Sequence, residues 1–166
     1  MAGQEEVLVV DRSAFEQEGG FHGLMYDVER YLRRLFAQGV PKFLPRGEAE
    51  QNPDYKQIIP YVLIRCSGRY LTYVRGKRAG ETRLVGNRSM GIGGHINPVD
   101  DMPLLANNYF EAYQAAVQRE VEEEIHVETG STDRIAALLN DDTNEVGKVH
   151  LGVVHLWNLD EDKVSK

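Results

Sequence analysis

The stretch FEAYQAAVQREVEEEIHV, residues 110–127, decides how the rest of the chain is read. Its pattern predicts a helix from about Tyr109 to Val127, with Gly130 as the stop. At about 100° per residue, Glu120, Glu123 and Glu124 fall within an arc of about 100° on one helix face. Val121 and Ile125, four apart, occupy an adjoining face that can pack on a sheet. An apolar stripe is thus flanked by a wall of carboxylates. Like charges at this spacing cost a few tenths of a kcal/mol per pair unless a cation sits among them. Hard divalent cations take oxygen ligands, and Mg²⁺ commonly combines a few carboxylates with substrate phosphate oxygens. A solvated acidic face is the plain alternative that a glutamate run by itself allows.

The chain has 166 residues, 42% of them hydrophobic and 27% charged, which suits one globular domain rather than a disordered or fibrous chain. A single cysteine, Cys66, excludes a disulfide scaffold and is read as a buried, inert thiol in a reducing compartment. The acidic start MAGQEEVLVV does not resemble a secretory leader, and no run of about 18 apolar residues is long enough for a membrane span. No membrane association and a cytoplasmic location are expected. The net charge is −7, so general nucleic-acid binding is not expected, since that affinity rests on neutralising phosphates. One band runs the other way: Arg65, Arg69, Arg75, Lys77, Arg78, Arg83 and Arg88 face only Glu81 across residues 65–88. Arg75, Arg78 and Arg88 are candidates to reach a substrate phosphate or the facing subunit of a homodimer.

Working outward from the helix, residues 5–11 read as a strand and 24–38 as a second helix, with Leu24, Val28, Tyr31, Leu32, Leu35 and Phe36 on its apolar stripe. Residues 40–57, punctuated by Pro41, Pro45 and Pro53, read as a loop. Residues 58–66 form a near-continuous apolar run, as expected of a strand covered on both faces. Ser67-Gly68-Arg69 turns into a second strand, YLTYVRG, followed by a polar stretch over 76–88. SMGIGGHI reads as a strand interrupted by glycines, 97–107 as a loop, and 134–140 and 147–158 as two further strands around the acidic turn NDDTNEVG. Mixed strands and helices imply helices on both sides of a mixed sheet. Residues 1–57 are read as an N-terminal extension with one helix packed on a 58–166 core, the whole forming one compact domain.

The spacing Glu111, seven residues, then Arg119-Glu120-Val121-Glu122-Glu123-Glu124, with Val127 beyond, resembles the signature helix of the Nudix hydrolases. Gly93-Gly94-His95-Ile96-Asn97-Pro98 resembles that family's glycine lead-in, displaced by an 11-residue insertion within 99–109. The family's final glycine is replaced by His126, and its first glycine by Leu105 in strict register. The resemblance implies an α/β fold, a Nudix-like α/β/α sandwich with a mixed central sheet. It implies Mg²⁺ or Mn²⁺ held by Glu120, Glu123, Glu124 and the carbonyl of Gly93. Gly94, Glu111 and Arg119 would be structural, Arg119 bracing the loop through Glu111. A later acid completes such sites; of Asp141, Asp142 and Glu145, Glu145 is favoured as the catalytic base. His95 would contact substrate. The implied activity is attack of water on the diphosphate linkage of a nucleoside diphosphate derivative or related phosphoanhydride, with a small phosphorylated molecule as partner.

Competing readings are weaker. Gly-Ile-Gly-Gly fails the dinucleotide-binding pattern, because Ile96 stands where the third glycine belongs and no helix opens there. His150 and His155, five apart on a strand, face opposite ways and have no cysteine pair beside them, so zinc is not expected. A Nudix-fold protein with another task, either an isoprenoid diphosphate isomerase or a ligand-binding regulator, is the remaining alternative. The position of Cys66, well before the motif, speaks against the isomerase. The intact set of three glutamates speaks against the regulator.

Overall fold

A computed structural model describes residues 5–74, 86–98 and 109–165. In chain order the elements are β1 (Glu6–Asp11), α1 (Arg12–Gln17), β2 (Gly23–Met25), α2 (Val28–Leu35), β3 (Pro41–Pro45), α3 (Arg46–Ala49), β4 (Tyr55–Cys66), β5 (Arg69–Tyr70) and β6 (Tyr73–Val74). There follow β7 (Arg88–Ser89), β8 (Gly91–Gly93), α4 (Tyr109–Glu124), β9 (His126–Val127), β10 (Ser131–Asn140), α5 (Glu145–Lys148), β11 (His150–Leu159) and β12 (Val164–Ser165).

Strand β4 organises the molecule. Along one edge it pairs in parallel with β11, from Gln57 opposite His150 to Arg65 opposite Asn158. Its other edge is shared out antiparallel among β1 at Tyr55–Gln57, β8 at Tyr61–Leu63 and β5 at Arg65–Cys66. The main path runs β2-β10-β11-β4-β1-β3, a mixed sheet. Alternation along β1 sends Leu8 and Val10 to one face and Val7 and Val9 to the other. The first face carries the large core, where Phe15 of α1, Tyr31 and Leu35 of α2, and Tyr113, Val117 and Val121 of α4 meet Ile58, Val62, Leu151 and Val153. The second face holds a small cluster of Val7 and Val9 under Ala49 of α3. Each fully buried aliphatic side chain of this kind is worth about 1.5–3 kcal/mol. The fold is a Nudix-like α/β arrangement around a mixed central sheet, its helical layers unequal in size.

Several local expectations change. The helix expected over 24–38 is shorter, because Leu24 and Met25 pair with Leu139 and Leu138 as an added strand. The expected loop 40–57 contains β3, α3 and the start of β4. Pro41 and Pro45 are tolerated because β3 is the sheet edge, where a missing N–H costs no ladder bond. The helix expected to reach Val127 ends at Glu124, since Val127 pairs with Val164 and His126 with Ser165. Cys66 is only partly buried. Residues 75–85, with Arg75, Arg78 and Arg83, and 99–108, with the insertion, lie outside the described residues.

Candidate active site

Helix α4 buries Ala112, Tyr113, Ala116, Val117 and Val121. These fall at one, four, five and nine positions from Ala112, a broad packed face, and at about 100° per residue Glu120 lies within the same arc, so it is directed along the packed side of the helix. The helix is also pinned by a polar chain. The His155 ring, fully buried, has Nδ1 3.0 Å from an Asp133 carboxylate oxygen and Nε2 2.7 Å from the Tyr113 hydroxyl. Nδ1–H donates to the carboxylate, which leaves Nε2 to accept from the tyrosine O–H. Burial, and then the Asp133 charge, hold the Tyr113 hydroxyl well above its ordinary pKa, so it remains a donor.

This orientation brings Glu120 against the glycine turn. A Cβ on Gly94 would lie 2.7 Å from Glu120 Oε2, so the carboxylate sits directly against the glycine and would have to shift for any larger residue there. Three residues earlier, in β8, Gly91 lies under the Tyr61 ring, where a Cβ would come within 2.0 Å of it. The Glu120 carboxyl is pushed above its ordinary pKa, first by burial and next by Glu123; Arg119 opposes, and Glu124 and Glu5 add to the rise. Arg119 stands 3.8 Å from Glu120 and 3.7 Å from Glu123.

The structure brings together Gly93, Gly94, Glu120 and the helix face carrying Glu123 and Glu124. It gathers these acids loosely: among the described residues, no group of three or more His, Cys, Asp or Glu side chains is close enough to hold a metal ion. The donor chemistry nevertheless fits a hard cation, since every candidate ligand is an oxygen and, at Glu120, burial together with the like charge of Glu123 and Glu124 outweighs Arg119. Glu111 is in the first turn of α4, about 12 Å along the axis from Arg119 at 1.5 Å per residue.

Glu145 opens α5, is exposed, and pairs with Lys148 at 3.0 Å. His95 is half-buried and its Nδ1 hydrogen-bonds the Gln57 side-chain oxygen. The Gln57 amide nitrogen in turn lies 3.4 Å from His150 Nε2, and His150 Nδ1 donates to the Val146 carbonyl at 2.5 Å. A hydrogen-bonded path therefore runs from His95, next to the glycine turn, to the short helix α5 that carries Glu145. Burial, followed by the Arg46 charge, lowers the His95 pKa. Arg88 instead donates to the Thr72 hydroxyl at 3.1 Å. Asp142 holds a structural position beside Lys56.

Three contributors escaped the sequence reading. Glu5 accepts from Asn97 at 3.0 Å and from Arg46 at 2.9 Å, while Gln57 orients His95. All lie within the first 57 residues and are delivered by the pairing of β1 with β3 and β4, which no local pattern announces.

An α/β fold with a mixed sheet, a glycine turn and an acidic helix packed against it defines a class. The chain belongs to the Nudix hydrolase superfamily. It is similar to the crystal structure of Tm1382, described as a candidate Nudix hydrolase. The two share 33% sequence identity and a TM-score of 0.73, over 98% of this chain and 80% of that one. It is also 34% identical over 160 residues to protein YmaB of Bacillus subtilis (strain 168), covering 93% of this chain and 76% of YmaB. No family model matches the chain. Among the described residues, no helix is long and apolar enough to cross a membrane.

Proposed function

We propose that the protein is a divalent-cation-dependent hydrolase that cleaves the diphosphate linkage of a nucleoside diphosphate derivative or a related small phosphoanhydride. The observation that carries this reading is the Glu120 carboxylate, lodged against Gly94 with its ionised form disfavoured by burial and by Glu123 and Glu124. A folded chain keeps such a cost where a ligand offsets it. Glu120, Glu123, Glu124 and the Gly93 carbonyl would hold Mg²⁺ or Mn²⁺, which supplies an activated water and neutralises charge on the diphosphate oxygens. The chain's own part is positional. Gly94 admits the carboxylate, and the Tyr113–His155–Asp133 chain fixes the helix rotation. His95 stands at the turn, oriented by Gln57. Glu145 is assigned as proton acceptor, at the start of α5, which is joined to His95 through Gln57 and His150.

The test is turnover of a panel of nucleoside diphosphate derivatives with Mg²⁺. Glu120→Gln keeps the side-chain shape and removes its charge, so the rate on the best substrate should fall by orders of magnitude with the thermal transition preserved. Near-normal turnover in Glu120→Gln overturns the reading.

A further inference from the structure

We propose that the organic part of the substrate is uncharged and predominantly apolar, and that it is held in a cavity at the C-terminal end of α4. This rests on the phosphoanhydride reading above and names the class of group attached to the diphosphate. The cavity measures about 360 Å³, within the size range of small-molecule sites. Its walls are Leu71, Tyr73, Val74, Ile92, Ile125 and Val164, and Glu124 is the one charged side chain among its described lining residues. Ile92 and Ile125 are almost fully buried and form a firm back wall, whereas Val74 is 48% exposed and stands at the opening.

Two observations tie this cavity to the carboxylates. Glu124 lies one helical turn beyond Glu120, about 6 Å along the axis, and its side chain lines the cavity. Ile92 directly precedes the Gly93-Gly94 turn. The same two elements therefore carry the acidic face and the apolar wall, and a group esterified to a diphosphate engaged at the carboxylates has that wall beside it.

Two polar side chains of the lining already have partners. The Tyr73 hydroxyl donates to the Gly91 carbonyl at 2.7 Å, which turns the ring rather than the O–H to the cavity. The Thr72 hydroxyl accepts from Arg88 at 3.1 Å. The described lining has no Lys or Arg and has Glu124 at its margin, and Arg88 beside it is turned to the Thr72 hydroxyl, so the lining favours an aryl or alkyl group over a second anionic one.

Calorimetric titration in Mg²⁺ tests this with three uncleavable ligands: methylenediphosphonate, its phenethyl ester and its 4-carboxyphenethyl ester. The phenethyl ester should bind at least about tenfold more tightly than methylenediphosphonate, and the added carboxylate should remove most of that gain. Val74→Trp fills the opening from a half-exposed position and should bring the first two affinities to within about threefold of each other; Leu71→Trp repeats the test from a second wall. Equal binding of the three ligands by the native protein overturns the proposal, as does a gain that survives both tryptophan variants. The readout separates the two readings. A phenethyl preference without hydrolysis of any diphosphate ester sinks the hydrolase assignment and leaves the pocket standing. Hydrolysis without the preference sinks the pocket alone.

Discussion

Lys56 shows what a single side chain decides here. It is fully buried, and its ammonium donates to Asp142 at 2.7 Å, to the Gly147 carbonyl at 2.8 Å and to Asn140. Burial pulls its pKa down, while Asp142 works against that pull. At Asp142, burial acts to raise the carboxyl, yet the bonds from Lys56, Asn140 and Arg12 outweigh it and hold the group well below its ordinary value of 3.8. A depressed carboxyl contributes stability that is complete above its unfolded pKa and is lost as pH falls through the folded one. Asp142→Asn should therefore cost about 2 kcal/mol in urea unfolding near neutral pH, since a buried ammonium loses its charged partner. The gap to the native protein should hold from about pH 7 to pH 5 and close below about pH 4. A gap that widens in acid would contradict this assignment.

At the scale of elements, the acidic face of α4 acts as a unit. If Glu120, Glu123 and Glu124 hold one divalent ion, Mg²⁺ titration raises the melting temperature by mass action. The double variant Glu123→Gln, Glu124→Gln should then abolish the rise, and an identical response in that variant removes the metal assignment. This helix was legible in the sequence because its apolar residues and the glutamates beside them obey one period. Its C-terminal end was not: the exit to β9 depends on Val164 pairing with Val127, 37 residues away. Leu24 and Met25 misled for the same reason. Leu24 fits the apolar stripe expected over 24–38, yet β10 offers both residues a ladder. Pro41 and Pro45 punctuate a strand that only its edge position permits. Gly93-Gly94 and Glu120 were joined through the resemblance to the Nudix motif, whereas Glu5, Arg46 and Gln57 match no part of that motif and are carried there by strand pairing.

Across the whole molecule, strands from the first 57 residues share the main sheet with the rest. Strand β1 lies between β3 and β4, and the Leu8 amide donates to the Ile96 carbonyl at 2.9 Å, just past the glycine turn. Arg12 makes the longest of these ties. Its guanidinium donates to the Pro53 carbonyl at 2.6 Å, to Asp142 at 3.2 Å and to the main-chain carbonyl of Lys148. Lys148 is an exposed lysine beside a tight loop, the type of position a trypsin-like protease prefers. To be cut, the peptide bond after it must leave the fold and extend into the protease cleft, and Arg12 holds the carbonyl of that very bond. The intact protein should resist nicking between Lys148 and Val149. Arg12→Ala should release that bond, so that mass spectrometry of a brief digest finds a fragment ending at Lys148 while the native protein yields none. A residue near the start of the chain thus guards a cleavage point near its end.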